Sequence, residues 1–366
     1  MKRILLINTV HTSYNGITSV IMNYVRRTYE VVKYDFVLCG EVEQSFADEL
    51  QTLGGSIFIP PCSRVKKPFT YSAWLKSIMK KNHYDVVHVH GNSGTMYFEI
   101  HAAKSSKIPV RIAHSHSSSC KFLLAHYVLK PFLNNNMTHG LACSDMAGKW
   151  VFDYEYTVLP NGIDVDEFAF SQETRDKYRK QLGLENKFVI GHVGYMDTEK
   201  NHIFLLRVFE NFIKMHPEAC LLLIGDGKLR PEIERFISTH SLQDNVYLLG
   251  KRNDVSQLYQ CMDVFVLPSI FEGLPVSLLE AQTAGLDCIV SERVTKEVNL
   301  TGKLQYIDIT DDAIVKWEES LNEIRFDENA RKNIKHQMED SEYNIMNSKR
   351  KLLTLYGFDD KLSAYE

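Results

Sequence analysis

The chain has 366 residues, 44% hydrophobic and 24% charged, with a formal net charge of −4. That is the composition of an ordinary soluble globular protein of about two domains, and seven cysteines, an odd number with no C-x-x-C pair, argue against a disulfide framework or a zinc site. No run of 18 apolar residues occurs, so a spanning helix is not expected, and a reducing cytosol fits the thiols.

The start, Met1-Lys2-Arg3-Ile4-Leu5-Leu6-Ile7, resembles a signal peptide for a few residues. Asn8, Thr9 and His11 interrupt it, and it reads as a first buried strand. Residues 1–165 hold 17 Lys+Arg and 12 Asp+Glu, a balance of +5, and the remainder balances at −9. Residues 100–144 contain no acid. Such polarity suits an N-terminal half that meets something anionic, against the plain alternative of scatter.

Seven apolar runs mark strands in the N-terminal half: Ile4–Val10, Tyr34–Cys39, Ser56–Ile59, Asp85–His90, Val110–His116, Gly140–Cys143 and Tyr156–Leu159. Helical stretches separate them, the pattern of an α/β domain with a mainly parallel sheet. Ligands of such sheets bind at the carboxyl ends of the strands, so useful residues should follow each run. After the first run, Asn15-Gly16 opens a helix reaching Tyr29, and Gly16 permits close approach of backbone to a ligand. The absence of G-x-G-x-x-G argues against a nicotinamide or flavin site there.

Residues 62–84 carry six basic residues, no acid and the interleaved Phe69, Tyr71, Trp74, Leu75, Ile78 and Met79. They read as a basic amphipathic helix for an anionic membrane surface, or as a helix whose apolar face packs on the sheet. His90, His114 and His116 fall near strand ends. They have no helical His-x-x-x-His spacing and no neighbouring carboxylate, so no metal is expected; backbone partners are the plain alternative. Lys121–Leu133 is again apolar and basic. Leu159–Phe168 forms a turn that closes the first half, and the D-x-D it contains, Asp164-Val165-Asp166, is read as part of that turn. Residues 171–187 read as a connection plus a surface helix.

The second half repeats the pattern with strands Phe188–Val193, Cys220–Ile224, Val246–Leu249, Val264–Leu267, Cys288–Val290 and Gln305–Ile309. Gly194-Tyr195 and Lys200 follow the first of these, and Gly225-Asp226-Gly227 the second. Gly250-Lys251-Arg252 follows the third, ahead of a helix at Ser256–Cys261. After Val264–Leu267 comes Pro268-Ser269-Ile270-Phe271-Glu272-Gly273-Leu274-Pro275-Val276, then a helix that Gly285 ends. Its N-terminus suits a phosphate, and Glu280 lies about 7.5 Å along the axis, where it can accept from ribose hydroxyls. A polar helix at Glu342–Tyr356 closes the chain.

Glu272 and Glu280 form an E-x7-E that resembles the signature of retaining family-4 glycosyltransferases. The order of the turns extends the resemblance over nearly all of residues 1–300. It implies an α/β, GT-B fold: two facing Rossmann-like domains, with a C-terminal helix crossing back to the N-terminal one. The domains would be 1–167 with 345–366, and 168–344. The resemblance assigns His116 and Glu272 to the donor sugar, and Gly273, Leu274, Pro275 and Val276, with Lys200, to the diphosphate. Glu280 goes to the ribose, Arg252 lies near the base, and Gly16 lies near the sugar and diphosphate. No metal and no cofactor are implied. Asn15 stands where the family often has a second glycine, Tyr195 where it has arginine, and Leu286-Asp287 where it has x-Pro.

The implied reaction moves a hexosyl group, with retention, from a nucleotide diphosphate sugar (a UDP-sugar) to a glycan or lipid-linked acceptor in surface polysaccharide synthesis. The enzyme would be cytoplasmic, at the inner face of an anionic membrane, without a nucleic-acid partner. A nucleotide-sugar epimerase of the same fold and a non-catalytic nucleotide-sugar-binding subunit stay open as alternatives.

Overall fold

The computed structural model describes residues 1–11, 16–40, 42, 44–272 and 274–358. The chain divides into two compact units, Met1–Gly162 with Ile345–Glu366, and Ile163–Asn344. The first division falls before the expected 167/168 point. The physical reason is local: Ile163 donates its N–H to the Tyr343 carbonyl at 2.8 Å, and Val165 packs with Ile334 and Met338 of the second unit.

Each of the thirteen apolar runs forms a strand. Unit 1 contains β1 (Lys2–His11), β2 (Val32–Cys39), β3 (Ser56–Phe58), β4 (Val86–Gly91), β5 (Val110–Ser115), β6 (His139–Ala142) and β7 (Thr157–Val158). They pair in the order β3-β2-β1-β4-β5-β6-β7. Unit 2 contains β8 (Phe188–Val193), β9 (Ala219–Ile224), β10 (Val246–Gly250), β11 (Val264–Leu267), β12 (Asp287–Ser291) and β13 (Leu304–Ile307), in the order β10-β9-β8-β11-β12-β13. Every pairing of named strands is parallel.

Parallel strands are joined by crossover helices, which cover both sheet faces, so central strands are apolar throughout. In β9 and β11 every residue is buried. Alternate residues feed two cores. Leu221, Leu223, Val264 and Val266 enter one, while Cys220, Leu222, Phe265 and Leu267 enter the other. Unit 1 does the same, with Leu5, Ile7, Val87 and Val89 on one face and Ile4, Leu6 and Val86 on the other.

The closing helix spans Ile345–Leu355 and returns the chain to unit 1. The sequence suggests a polar helix, yet one side is apolar. Ile345, Leu352, Leu353 and Tyr356 join the unit 1 core, and Lys2 Nζ donates to the Tyr356 and Gly357 carbonyls at 2.9 and 2.6 Å. Residues 359–366 lie outside the described residues.

The helix Gln172–Leu182 lies at the surface as expected, but one of its sides is not solvated. Its charged pattern hides two buried arginines, Arg175 and Arg179, both paired with Asp263. They also donate to the carbonyls of Gln260, Cys261 and Met262, which end the helix Val255–Cys261. Arg331 donates to the Tyr259, Met262 and Ala284 carbonyls. Three guanidinium groups thus meet the negative end of one helix dipole. Burial, with Arg175 alongside, pushes Arg331 down to about 9. Asp263 also accepts from the Val189 N–H at 2.7 Å, which ties the cluster to β8. Removing one partner of a buried ion pair costs about 3–5 kcal/mol. Asp263→Ala, which strands two buried arginines, should lower unfolding free energy by about that much, read as a lower urea midpoint at unchanged slope.

Candidate active site

In an open parallel sheet the crevice forms where strand order reverses. In unit 2 that point lies between β8 and β11. The loops leaving these two strands carry Gly194–Lys200 and Pro268–Glu272, so sheet topology brings them together. The Lys200 ammonium and the Glu272 carboxylate form an ion pair that is largely shielded from water. Ser269 Oγ donates to the same Glu272 oxygen at 2.7 Å, and the Ile270 N–H donates to the Glu199 carbonyl at 2.8 Å. Lys200 is further placed by its own N–H, which donates to Asp197 Oδ1 at 3.2 Å. Gly225 adopts φ +132°, and a Cβ there would stand 2.0 Å from the Gly194 carbonyl oxygen. Only glycine allows these two loops to touch. Tyr195, in the place where the family has arginine, is half-exposed and brings no cation.

The helix after Glu272 spans Val276–Thr283. Pro275 is its extended N-cap, and no side chain of the described residues caps its N–H groups. Gly285, at φ +73°, follows the helix, and a Cβ there would lie 2.6 Å from Arg331 backbone. Glu280 is the fifth helical residue. Its Oε2 accepts from the Tyr259 hydroxyl at 2.9 Å, and Tyr259 lies 3.0 Å from the Ser277 carbonyl. Burial pushes the Glu280 carboxyl up from 4.5 to about 7, with Tyr259 opposing and the Glu167 carboxylate adding to the rise. Leu274 packs partly buried on the unit 2 core. Gly273 lies outside the described residues. Arg252 is held in a two-point pair with Asp254 at 2.6 and 2.8 Å, on an open pocket shared with Tyr178 and Gln257.

In unit 1, Gly16 is the first residue of the helix Gly16–Thr28, and residues 12–15 lie outside the described residues. His90 and His114 are partners across β4 and β5. Their neighbours two positions away lie on the same face, so His88, His90, His114 and His116 form a two-by-two block of rings. His116 Nε2 lies 2.8 Å from His90 Nδ1, and His88 Nε2 lies 3.2 Å from His114 Nδ1. Burial pushes His88 and His116 down to about 3, and His90 and His114 well below the usual range. His88, His90 and His114 offer nitrogens within 4.8 Å of one another, a convergence that in-chain spacing had hidden. Both ring nitrogens of His88 are already engaged, Nδ1 with the Tyr356 hydroxyl and Nε2 with His114 Nδ1, so a metal ion on the three would have to displace one of these hydrogen bonds. The Asp164 side chain caps the short helix Val165–Phe168, and Asp166 pairs with Lys335 at 2.6 Å; the D-x-D belongs to a helix start.

Sequence reasoning missed Tyr259, Ser269 and His88. The signal for His88 was present: two H-x-H runs on successive predicted parallel strands put four imidazoles on one sheet face. Tyr259 carried none, since a tyrosine on a short apolar helix is an ordinary core residue.

Comparison with known proteins follows the same architecture. The model of the family described as Glycosyltransferase Family 4 matches residues 14–167, and that of Glycosyl transferases group 1 matches residues 174–338. The chain is 32% identical over 299 residues to the putative glycosyltransferase EpsF of Bacillus subtilis, covering 78% of each. The chain belongs to the family-4 glycosyltransferases. It is also 30% identical, over 71% of this chain and 72% of the relative, to UDP-Gal:alpha-D-GlcNAc-diphosphoundecaprenol alpha-1,3-galactosyltransferase of Escherichia coli. Among solved structures, Anabaena HepE in complex with UDP has a TM-score of 0.77 at 16% identity, covering 98% of this chain and all of that one. WaaG, a lipopolysaccharide glycosyltransferase, has 0.70 at 15%, with 98% and 100% covered. The fold of the glycosyltransferase is therefore GT-B, with two Rossmann-like units.

Glu280 makes stability depend on pH. Folded, it holds its proton up to about pH 7; unfolded, it releases it near 4.5. Stability from the protonated form is complete below the lower value and is lost as pH rises through the higher one. Relative to Glu280→Gln, the wild type should lose roughly 2 kcal/mol between pH 4.5 and 8, allowing for partial exposure of the carboxyl. Urea titrations of both proteins across that range measure it.

Proposed function

We propose that this glycosyltransferase moves a hexosyl group, with retention, from a UDP-sugar to a hydroxyl of a lipid-linked acceptor in surface polysaccharide synthesis. The observation that carries this reading is the Lys200–Glu272 pair at the β8/β11 crevice, beside the start of the helix Val276–Thr283. Lys200 and the N–H groups of that helix stabilise the charge that grows on the departing diphosphate, and Glu272 holds the lysine and receives donor-sugar hydroxyls. Glu280 accepts from the ribose. His116 and Gly16 keep the donor-sugar roles that the family resemblance implies, and Arg252 that of a neighbour of the base. The names of relatives support the acceptor class: one acts on a diphosphoundecaprenol-linked sugar, and another, from Campylobacter jejuni, is 25% identical over 288 residues and named for a diphospho-undecaprenol acceptor.

The test is a screen of nucleotide sugars for nucleoside diphosphate release, paired with UDP binding. A ribose hydroxyl donates more strongly to an ionised Glu280, so UDP affinity should rise with pH through about 7 in the wild type relative to Glu280→Gln. Glu280→Ala should weaken UDP about tenfold to a hundredfold, the worth of a hydrogen bond to a charged group. Unchanged affinity in a folded Glu280→Ala protein would sink the ribose assignment.

The acceptor class also bears on the surface of unit 1. The helix Pro68–Asn82 buries Tyr71, Leu75, Ile78 and Met79, so most of its expected membrane face packs inward; Phe69 alone of those six stays wide open. The helix Leu123–Asn134 is the reverse. Leu123, Leu124, Tyr127, Val128 and Phe132 are exposed along one side, with Leu124 81% accessible. Phe132 lies tilted against Tyr97 and Phe69 meets Phe98 edge-on, so both helices reach aromatic neighbours on the helix Tyr97–Ser105. Lys66 and Lys67, shortly before Phe69 in the chain, and Lys121, just before Phe122, are exposed. Among the described residues no helix is long and apolar enough to cross a membrane. An apolar strip accompanied by exposed lysines suits the interface of an anionic bilayer, at about 1 kcal/mol per lysine in addition to apolar burial. Leu124→Ser with Val128→Ser and Phe132→Ser should cut co-sedimentation with anionic vesicles at least about tenfold, since each buried apolar side chain contributes about 1.5–3 kcal/mol. Wild-type protein that ignores such vesicles at low salt would refute the membrane contact.

A further inference from the structure

Beside the Gly194–Lys200 loop lies a histidine with no part in the chemistry proposed above. His192, on β8, is fully buried. Its Nδ1 lies 2.9 Å from the Val266 carbonyl oxygen on β11, past Gly191 and Phe265, the last residues in register between the two strands. A carbonyl only accepts, so Nδ1 carries a proton. Burial keeps the ring uncharged, and His202 and Lys200 nearby act in the same direction. A neutral imidazole has one N–H, so Nε2 is a bare acceptor. That nitrogen is buried and has no partner among the described residues. A buried acceptor without a donor is costly, and native structures keep few of them.

Nε2 and the end of Lys200 flank the same spot. A Cβ built on Gly194 would stand 3.1 Å from His192 Nε2 and 3.3 Å from both Cδ and Cε of Lys200. Glycine at 194 leaves that spot empty. The ammonium has three N–H donors and, among the described residues, one acceptor, Glu272 Oε1.

The Lys200–Glu272 pair also sets a chemical difficulty for transfer. Each group neutralises the other, whereas a departing diphosphate needs the ammonium and sugar hydroxyls need the carboxylate. A diphosphate that draws Lys200 away leaves ammonium N–H groups short of an acceptor in a site shielded from water. A second carboxylate would compete with the diphosphate for the charge. A neutral imidazole nitrogen accepts a hydrogen bond and leaves the charge to the anion.

We infer that His192 is a positioning residue for Lys200: when a diphosphate draws the ammonium from Glu272, one of its N–H groups moves onto His192 Nε2. The arrival of the diphosphate rests on the function proposed above; the tautomer of His192 does not. The proton stays on the lysine throughout, and no covalent bond changes. The exchange frees Glu272, still held by Ser269, for the sugar. A water shared with His202, whose two ring nitrogens also lack partners among the described residues, is the rival occupant of Nε2.

Histidine-selective 15N labelling of the full chain, with His192→Gln for assignment, reads this nitrogen directly. Without ligand, His192 should show Nδ1–H and an Nε2 that carries neither proton nor hydrogen bond. Saturating UDP should move the Nε2 signal toward that of a hydrogen-bonded acceptor without protonating it, and Lys200→Met should abolish the move. His192→Asn keeps an N–H in the place of Nδ1 for Val266 and removes the acceptor at Nε2. Its turnover should fall about tenfold to a hundredfold, the worth of one hydrogen bond to a charged group. In a Lys200→Met background the same substitution should cost nothing further, whereas a residue that only supports the fold would cost the same in both. An Nε2 signal unmoved by saturating UDP, a ligand-free Nε2 already protonated or hydrogen-bonded, or equal losses in both backgrounds would overturn the inference and leave the transferase function standing. A folded wild type that neither binds UDP nor releases it from any nucleotide sugar would overturn that function, and the lysine exchange with it.

Discussion

The structure depends on one constraint: a parallel sheet must bury both faces. Each strand is followed by a crossover that packs on one face or the other, and every strand therefore points the same way. All carboxyl ends collect along one edge of each sheet. This is why residues far apart in sequence, Lys200 after β8 and Glu272 after β11, meet as a shielded ion pair. The same constraint places His90 and His114 side by side on β4 and β5. Chemistry gathers at these edges because side chains elsewhere on the central strands are spent on the two cores.

Burial then sets the electrostatics. Polar groups taken from water either find a partner or change protonation state. Asp263 illustrates the first outcome, with two arginines and a backbone N–H around it. The imidazole block illustrates the second, since burial lowers the pKa of all four rings. Glu280 lies between the two: one tyrosine hydroxyl supports it, a nearby carboxylate opposes it, and it titrates near neutrality. A carboxyl poised there changes its ionisation with its hydrogen-bond partners.

Much was legible in the chain. Apolar runs of four to eight residues with turn residues between them mark buried parallel strands, because the burial requirement acts on each strand separately. The E-x7-E stretch was legible for a related reason: a strand, a turn and a helix N-terminus are all local. Charge was less reliable. Lys, Arg and Glu along 171–187 suggested a surface helix, yet Arg175 and Arg179 are buried, since a guanidinium can leave water when a carboxylate and helix-end carbonyls await it. The apolar faces of the two basic helices could not be ranked either, because packing buries one and leaves the other exposed.

The sequence by itself determined the alternation of strands and helices, the two-unit α/β class, the glycine turns and the carboxylates flanking one helix start. Each depends on neighbours within a few residues. The tertiary structure alone decided which side chains meet. Strand order reverses between β8 and β11 and so pairs Lys200 with Glu272; Tyr259 arrives from another helix to hold Glu280; the return of the last helix brings Tyr356 to His88. These contacts join residues 21 to 268 positions apart. Short-range periodicity carries no information about them, because register and strand order are set by the packing of the whole sheet.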